Sequence, residues 1–228
     1  MEERSRTAQI TKIKICGLKR PEDAAIVNRL RPDYVGFVFA GTKRKIAKEK
    51  AAALRAAIWP EILSVGVFVN EPIENITAMC REGILDLVQL HGDETEAYVA
   101  EVKSQTQKPV IRAVRVRSQD DVLANAESCA DYLLFDTYRA GEYGGSGAAF
   151  AWDDLLAAKR RFEESGAAFP PFFLAGGLNA GNAKKAIRTL HPYALDISSG
   201  VETDGVKDEE KIKEFMKACR KADGMEGK

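Results

Sequence analysis

The sequence predicts an α/β fold, a single (βα)8 barrel (TIM barrel) with eight parallel strands inside and helices outside. Short runs rich in β-branched and aromatic residues alternate with longer amphipathic stretches, an order that indicates a parallel sheet. Eight such units within 228 residues favour closure of the sheet into a barrel. The alternative is an open doubly wound sheet, which usually has fewer strands and a glycine-rich turn after the first strand. This chain has CGLKRP (16–21) at that point, which is not such a turn.

The strands and helices follow one another in strict order along the chain. The predicted strands are 11–15, 33–39, 62–69, 85–91, 109–116, 131–137, 171–177 and 194–200. The predicted helices begin near Pro21, Ala47, Pro72, Glu94, Ser118, Trp152, Asn179 and Lys207. Proline suits a first helical turn because no amide donor is lost there. Ser118, with acidic residues just after it, is typical of a helix N-cap.

Composition narrows the class of protein and its partners. Hydrophobic residues make up 45% and charged residues 30%, as in a globular protein, and 34 basic residues balance 34 acidic ones. That balance does not favour nucleic acid or an anionic membrane as a partner. The N-terminus is charged, and no apolar run approaches the roughly 18 residues that span a bilayer. We therefore expect a cytoplasmic protein with one catalytic domain over 1–228, in which 1–10 form a short disordered N-terminal extension.

Cysteines and histidines are too few or too scattered for a metal centre. The four cysteines, at positions 16, 80, 129 and 219, form no CxxC pair and no zinc-ligand spacing. There are only two histidines. We therefore expect reduced thiols and no catalytic metal.

The active site of a parallel barrel lies at the rim where all the strands end. In the first strand Ile13 and Ile15 alternate with Lys14 and Cys16, so Lys14 and Cys16 are predicted to face the barrel mouth. A thiolate there could accept a proton, and a nearby cation would lower the pKa of Cys16. The alternative is that Cys16 is a small buried hydrophobe.

Two further strand ends carry groups suited to proton transfer or ligand contact. Asp136 shares the inward face of the sixth strand with Leu134, and a carboxyl there is costly unless it is paired or used. Burial favours its protonated form, as a general acid requires. The alternative is an ion-paired or helix-capping aspartate. At the end of the fourth strand, Gln89 and His91 share a face, and His91 is either a ligand contact or a structural histidine.

Glycine-rich segments follow the last three strands. Residues 137–150 hold four glycines, which suits either a mobile flap over a ligand or a plain flexible loop. LAGGLN (174–179) and DISSGVE (196–202) follow strands seven and eight, where barrels often bind phosphate on bare backbone amides. Tight turns at strand ends are the alternative.

Taken together, these segments resemble the phosphoribosylanthranilate isomerase family from about residue 12 to residue 216. The matching segments are KICGL (14–18), DYVGFVF followed by TKRKI (33–46), VGVFVN (65–70), VQLHGDE (88–94), LLFDT (133–137), YGGSG (143–147), FLAGGLN (173–179) and DISSGVE followed by GVKD (196–208). KICG, QLHG and SSGVE in this order are highly specific as a set. Departures from the family's pattern affect loops: TKR stands for SPR, Ala151 for an aspartate, and LNAGN for LxPxN.

The resemblance implies an Amadori rearrangement of N-(5-phosphoribosyl)anthranilate to 1-(2-carboxyphenylamino)-1-deoxyribulose 5-phosphate in tryptophan biosynthesis, without a cofactor. By resemblance, Cys16 is the general base and Asp136 the general acid. Arg44 would face the anthranilate carboxylate, Asp196 would hold a ribose hydroxyl, and Gln89 and His91 would complete the substrate site. The phosphate would bind at Gly177, Ser198, Ser199 and Gly200. A small phosphosugar is then the partner of a monomer or homodimer.

Two other classes of function fit a barrel. A metal-dependent pentose-phosphate epimerase would need several histidines at strand ends, and a triose-phosphate isomerase would place a glutamate where this chain has Asp136. A catalytically silent, metabolite-binding barrel would have no reason to keep both Cys16 and Asp136.

Overall fold

A computed structural model describes residues 10–41, 43–136 and 146–224, with only the backbone given for 146–151. Eight parallel strands form a closed barrel in which each strand pairs with the next and the last pairs with the first. Strands β1 to β8 are Lys12–Cys16, Tyr34–Val38, Leu63–Phe68, Leu87–Leu90, Val110–Arg115, Tyr132–Asp136, Phe172–Ala175 and Ala194–Ile197. The predicted fold class is confirmed.

Helices cover the outside of the barrel between the strands. Within the described residues, helices α1 to α8 are Pro21–Leu30, Lys48–Ala57, Ile73–Arg81, Glu96–Thr106, Gln119–Asn125, Ser146–Glu164, Ala180–Leu190 and Glu209–Ala222. A short 3-10 helix, Ser199–Val201, follows β8. The N-cap predicted at Ser118 is confirmed, since Ser118 directly precedes α5 and donates its backbone N–H to Asp121. None of these described helices is long and apolar enough to cross a bilayer.

The largest boundary error concerns α6, which begins at Ser146 and not near Trp152. Alanine is the strongest helix former, and the run Ala148–Ala149 favours a helix that includes residues predicted to be loop. The rest of the predicted flap, 137–145, lies outside the described residues. The predicted N-terminal extension likewise falls on residues outside the description, apart from Ile10.

A small hairpin near the C-terminus was not predicted. Strands β9 (Glu202–Thr203) and β10 (Val206–Lys207) pair antiparallel, and α8 starts only after them. Asp204 and Gly205 connect the two strands with φ angles of 51° and 74°. An Asp-Gly pair in the left-handed region is the preferred two-residue hairpin turn, so the signal was present in the sequence.

The core has two compartments separated by the sheet. Ile13 and Ile15 belong to the larger one, between strands and helices. Lys14, which lies between them, is fully buried on the other face of β1, inside the barrel. The predicted alternation along β1 is therefore confirmed. Every second residue of the strand faces the inside of the barrel, which is where Lys14 lies.

Candidate active site

Lys14 is the most buried charged side chain of the barrel interior, with no exposed surface. Its Nζ donates to Oδ2 of Asp196 and to Oε1 of Gln89, both at 2.8 Å. Parallel pairing of β1 with β8 sets Lys14 beside Asp196 in register. Burial lowers the pKa of Lys14, but Asp196 and Cys16 together outweigh burial and the pKa is raised. The lysine is therefore held as a cation inside the barrel.

Cys16 ends β1 with 8% of its surface exposed and is a free thiol. Its neighbour on β2 is Gly36, where an added Cβ would lie only 2.6 Å from the Cys16 sulfur. A side chain at position 36 would therefore displace the thiol, and glycine leaves room for it. Burial raises the pKa of Cys16, while the nearby Lys14 and Lys207 ammonium groups lower it.

The two lysines lower the pKa of Cys16 as the sequence predicted, but burial has the larger effect and the net pKa is raised. The predicted cations are present, but burial destabilises the thiolate more than these cations stabilise it. The negative charge of Asp196 adds to this cost.

Asp136 ends β6 with about a quarter of its side chain exposed, so it is less buried than predicted. Nε2 of His91 lies 3.7 Å from its Oδ2. On the other side of the imidazole, Nδ1 of His91 lies 3.0 Å from Nε2 of Gln89. The structure thus brings together Gln89 of β4, His91 directly after β4, and Asp136 at the end of β6.

The Asp196 carboxylate is satisfied on one oxygen only. Its Oδ2 accepts from Lys14, but Oδ1 is buried and has no hydrogen-bond partner among the described residues. A buried acceptor without a donor costs free energy of about 1–3 kcal/mol, so such a group calls for an explanation. A ligand hydroxyl would supply the donor.

Arg44 already holds a carboxylate from its own chain. Its Nε and Nη2 donate to the two oxygens of Glu202 at 2.8 and 2.7 Å, and Lys207 donates to the same glutamate at 2.7 Å. Burial raises the pKa of Glu202, but Arg44 and Lys207 outweigh it and lower the pKa to about 2. Among the described residues, Glu202 occupies only Nε and Nη2 of this guanidinium.

The loops after β7 and β8 contact each other through their backbones. At Gly200 an added Cβ would lie 2.0 Å from the carbonyl oxygen of Leu178, so only glycine fits this contact. Gly177 has a φ of +64°, with open space where a side chain would be. Gly177, Ser199 and Gly200 are all exposed at the rim.

Two hydrogen-bonding features of these loops bear on the predicted phosphate site. The first free amides of α7 are not bare, because Asn179 Oδ1 accepts from the N–H groups of Gly181 and Asn182. The Ser198 hydroxyl donates to the Cys16 carbonyl oxygen at 2.9 Å, so it joins β8 to β1. Any anion at this place would therefore meet the 3-10 helix that begins at Ser199, not the N-terminus of α7.

Three charged residues of the site received no role from the sequence. Lys14 was placed on the inward face, but its partner was not identified, although a lysine inside a barrel requires an acid on a neighbouring strand. Glu202 and Lys207 lie on the unpredicted hairpin. The Asp-Gly turn between them was the available signal.

The model of one protein family matches most of the chain. It is the model for N-(5'-phosphoribosyl)anthranilate (PRA) isomerase, and it matches residues 13–218. The chain belongs to the PRA isomerase family. The PRA isomerase of Endomicrobium trichonymphae is 52% identical over 209 residues, covering 92% of this chain and 98% of its own. That of Lachnoclostridium phytofermentans is 47% identical over 213 residues, with 91% and 97% covered.

Solved PRA isomerase structures have the same architecture. The enzyme from Thermotoga maritima superimposes with a TM-score of 0.79 at 37% identity, covering 92% of this chain and 99% of its own. A second PRA isomerase structure, in complex with reduced 1-(o-carboxyphenylamino)-1-deoxyribulose 5-phosphate, has a TM-score of 0.77 at 34% identity, with the same shares covered. The family resemblance predicted from the sequence is confirmed, and with it an isomerase.

Proposed function

We propose that this chain converts N-(5-phosphoribosyl)anthranilate to 1-(2-carboxyphenylamino)-1-deoxyribulose 5-phosphate by general acid–base catalysis in tryptophan biosynthesis. The observation that carries this proposal is that Cys16 and Asp136 end two strands at one rim, with a network of polar side chains that includes the buried Lys14–Asp196 pair. Family membership and the relative crystallised with a reduced form of that product support the same reaction.

Asp136 is the proposed acid and Cys16 the proposed base. Asp136 gives a proton to the ribose ring oxygen as the C1–O bond breaks, which opens the ring to a protonated Schiff base. The Cys16 thiolate then takes the proton from C2, leaving an enolamine that tautomerises to the ketone. No redox partner is needed, because the hydrogen lost at C2 is regained at C1. The Lys14 and Lys207 ammonium groups near the sulfur favour the thiolate that this step requires.

The unpaired oxygen of Asp196 supports a hydroxyl-binding role. A ribose hydroxyl that donates to Oδ1 would give this buried oxygen the hydrogen-bond donor that no described residue supplies. Nη1 of Arg44 is directed to the anthranilate carboxylate, since Glu202 uses only Nε and Nη2. Gln89 and His91 border the same mouth between these groups.

The phosphate is proposed to bind between Gly177 and the Ser198–Ser199–Gly200 turn. Exposure of Gly177 and Ser199 at the rim supports this, as does the 3-10 helix that opens at Ser199. A helix start presents backbone N–H groups to an anion. The Lys207 ammonium, 3.1 Å from the Ser198 carbonyl oxygen, adds a positive charge beneath the turn.

The cellular setting follows from the same proposal. A small phosphosugar is the partner, no cofactor takes part, and the enzyme works in the cytoplasm as a monomer or homodimer. One similar crystal structure, at 33% identity and a TM-score of 0.74, is of monomers made from the dimeric Thermotoga maritima enzyme. Analytical ultracentrifugation of this chain would distinguish a monomer from a homodimer.

Direct turnover tests the proposed function. Phosphoribosylanthranilate is generated in situ from anthranilate and phosphoribosyl pyrophosphate, and its fluorescence is followed with and without the protein. We expect rapid decay that Cys16→Ala and Asp136→Ala each abolish. Absence of decay with a folded, monodisperse sample would contradict the reaction. Binding of the reduced product analogue without turnover would instead favour a silent, metabolite-binding barrel.

A further inference from the structure

Five polar side chains form one row across the barrel mouth, from Asp196 through Lys14, Gln89 and His91 to Asp136. Three of the four links are within hydrogen-bond distance: 2.8 Å from Lys14 to Asp196, 2.8 Å from Lys14 to Gln89, and 3.0 Å from Gln89 to His91. The last, from His91 to Asp136, is 3.7 Å. The row ends at the proposed acid.

The direction of each link in this row follows from the chemistry of its first member. An ammonium group has only protons to give, so the Gln89 atom facing Lys14 is the amide oxygen. The amide nitrogen of Gln89 therefore faces Nδ1 of His91, and an NH₂ group can only donate. Nδ1 must accept, so in the neutral imidazole the proton is on Nε2, which faces Asp136.

We propose that Lys14 and Gln89 fix His91 as the Nε2–H tautomer, so that His91 positions the Asp136 carboxyl and is not a substrate contact. The catalytic consequence rests on the proposed function, whereas the tautomer itself does not. Nε2–H faces Oδ2 of Asp136, so the row presents an N–H donor to this oxygen of the proposed acid. The row thereby orients the Asp136 carboxyl through its Oδ2.

The 3.7 Å separation of His91 and Asp136 is longer than a hydrogen bond. At this distance the link is an attraction between an oriented N–H dipole and the Asp136 carboxyl group. Catalytic hydrogen bonds are often long before substrate binds and shorten in the complex. The other three links are within hydrogen-bond distance, and Lys14 is fully buried. The His91 ring is therefore oriented without any contact to substrate.

Nitrogen NMR of the histidine rings reads the tautomer without any need for turnover. The full chain is labelled with ¹⁵N, and two-bond ¹⁵N–¹H correlations are recorded at a pH where imidazole is neutral. Only two histidines give signals. His191→Asn assigns them, and asparagine suits this position because His191 follows α7 in the left-handed conformation, with a φ of 49°. We expect His91 in the Nε2–H form.

Gln89→Glu is the decisive variant for the tautomer. A carboxylate keeps the bond from Lys14 but has no N–H to give, so it must accept from His91. We expect the ring to change to the Nδ1–H or the doubly protonated form. An Nδ1–H ring in the parent, or an unchanged ring in the variant with the fold retained, would overturn the proposal.

Two amide replacements of His91 test its effect on catalysis. His91→Gln can place an N–H where Nε2–H lies, whereas the shorter side chain of His91→Asn reaches only the Nδ1 position. We expect His91→Asn to lower kcat roughly tenfold, a fraction of a full proton-transfer contribution, with KM nearly unchanged. His91→Gln should keep most of kcat. A raised KM with normal kcat in both variants would make His91 a substrate contact and overturn the positioning role.

Failure of this proposal and failure of the proposed function give different results. A parent protein with the Nε2–H tautomer but no turnover contradicts only the reaction. A parent protein that turns over normally with an Nδ1–H ring contradicts only the row.

Discussion

The two halves of the barrel interior are built from opposite kinds of side chain. Near the strand starts, the ring of Phe173 packs against those of Tyr34, Tyr132 and Tyr193 at centroid distances of 5.5–5.6 Å. Near the strand ends the interior holds Lys14, Gln89 and Asp196. The first half is an apolar plug whose packing stabilises the fold, whereas the second places charges where stability alone would not call for them.

Two lysines on β1 form equally short ion pairs that differ in burial. Lys12 and Lys14 each bind an aspartate at 2.8 Å, Asp33 and Asp196 respectively. The Lys12 side chain is 43% exposed and that of Lys14 is fully buried. Equal distances therefore describe a surface pair that contributes little and a buried pair that costs desolvation and must stay complete. Burial, and not distance, indicates which pair serves function.

The largest expected effect comes from breaking the buried pair. Lys14→Met should lower the free energy of unfolding by about 3–5 kcal/mol, because it leaves the Asp196 charge buried without its cation. Lys12→Met, the matched change at the other end of the strand, should cost less than about 1 kcal/mol. Urea unfolding of the two variants measures both values. Equal losses would show that burial does not separate the two pairs.

The next largest effect is on kcat, which should depend on the polar half of the barrel interior and not on the apolar half. Cys16→Ala and Asp136→Ala should each lower kcat at least about 10²-fold, the usual size of a proton-transfer contribution, with little change in KM. Tyr34→Phe removes the hydroxyl that lies 2.7 Å from the Tyr193 hydroxyl in the apolar half. It should leave kcat unchanged. Steady-state kinetics decide this, and near-normal turnover of either rim variant would remove its proposed role.

Arg44→Ala should act through substrate binding. Loss of a charge-assisted contact to a carboxylate should raise KM about tenfold or more, with a smaller change in kcat. Arg29 offers a control, because it holds Glu209 through the same Nε and Nη2 atoms on the surface. Arg29→Ala should leave KM as it is. An unchanged KM in Arg44→Ala would mean that Arg44 binds Glu202 only and does not contact substrate.

The smallest expected effect is a change in acid stability at Glu202. Its pKa in the folded protein is about 2, below the ordinary 4.5, so its stabilising contribution is complete above pH 4.5 and is lost as pH falls towards 2. Glu202→Gln should therefore lose less stability than the parent across this interval. Urea midpoints at several pH values measure the difference, with Glu209→Gln in the exposed pair as the control. Parallel pH profiles for parent and variant would contradict the assignment.

Local patterns were sufficient for the fold and for part of the site. Alternation along β1 correctly placed Lys14 and Cys16 inside, and the eight strand–helix units predicted the closed barrel. The predicted start of α6 was wrong, because the alanines among the glycines favour helix. The β9–β10 hairpin was not predicted, although the sequence contains its Asp-Gly turn. These errors concern signals that were local and present.

The sequence by itself determined which residues face the barrel interior and which strand ends meet at one rim, since both follow from a two-residue period and from the strand–helix order. Only the tertiary structure decided which charges pair there. Lys14 and Asp196 are 182 positions apart, as are Ser198 and the Cys16 carbonyl it binds, and Arg44 and Glu202 are 158 apart. Such contacts depend on barrel closure and strand register, and the burial that raises the pKa of Cys16 exists only once the barrel has closed.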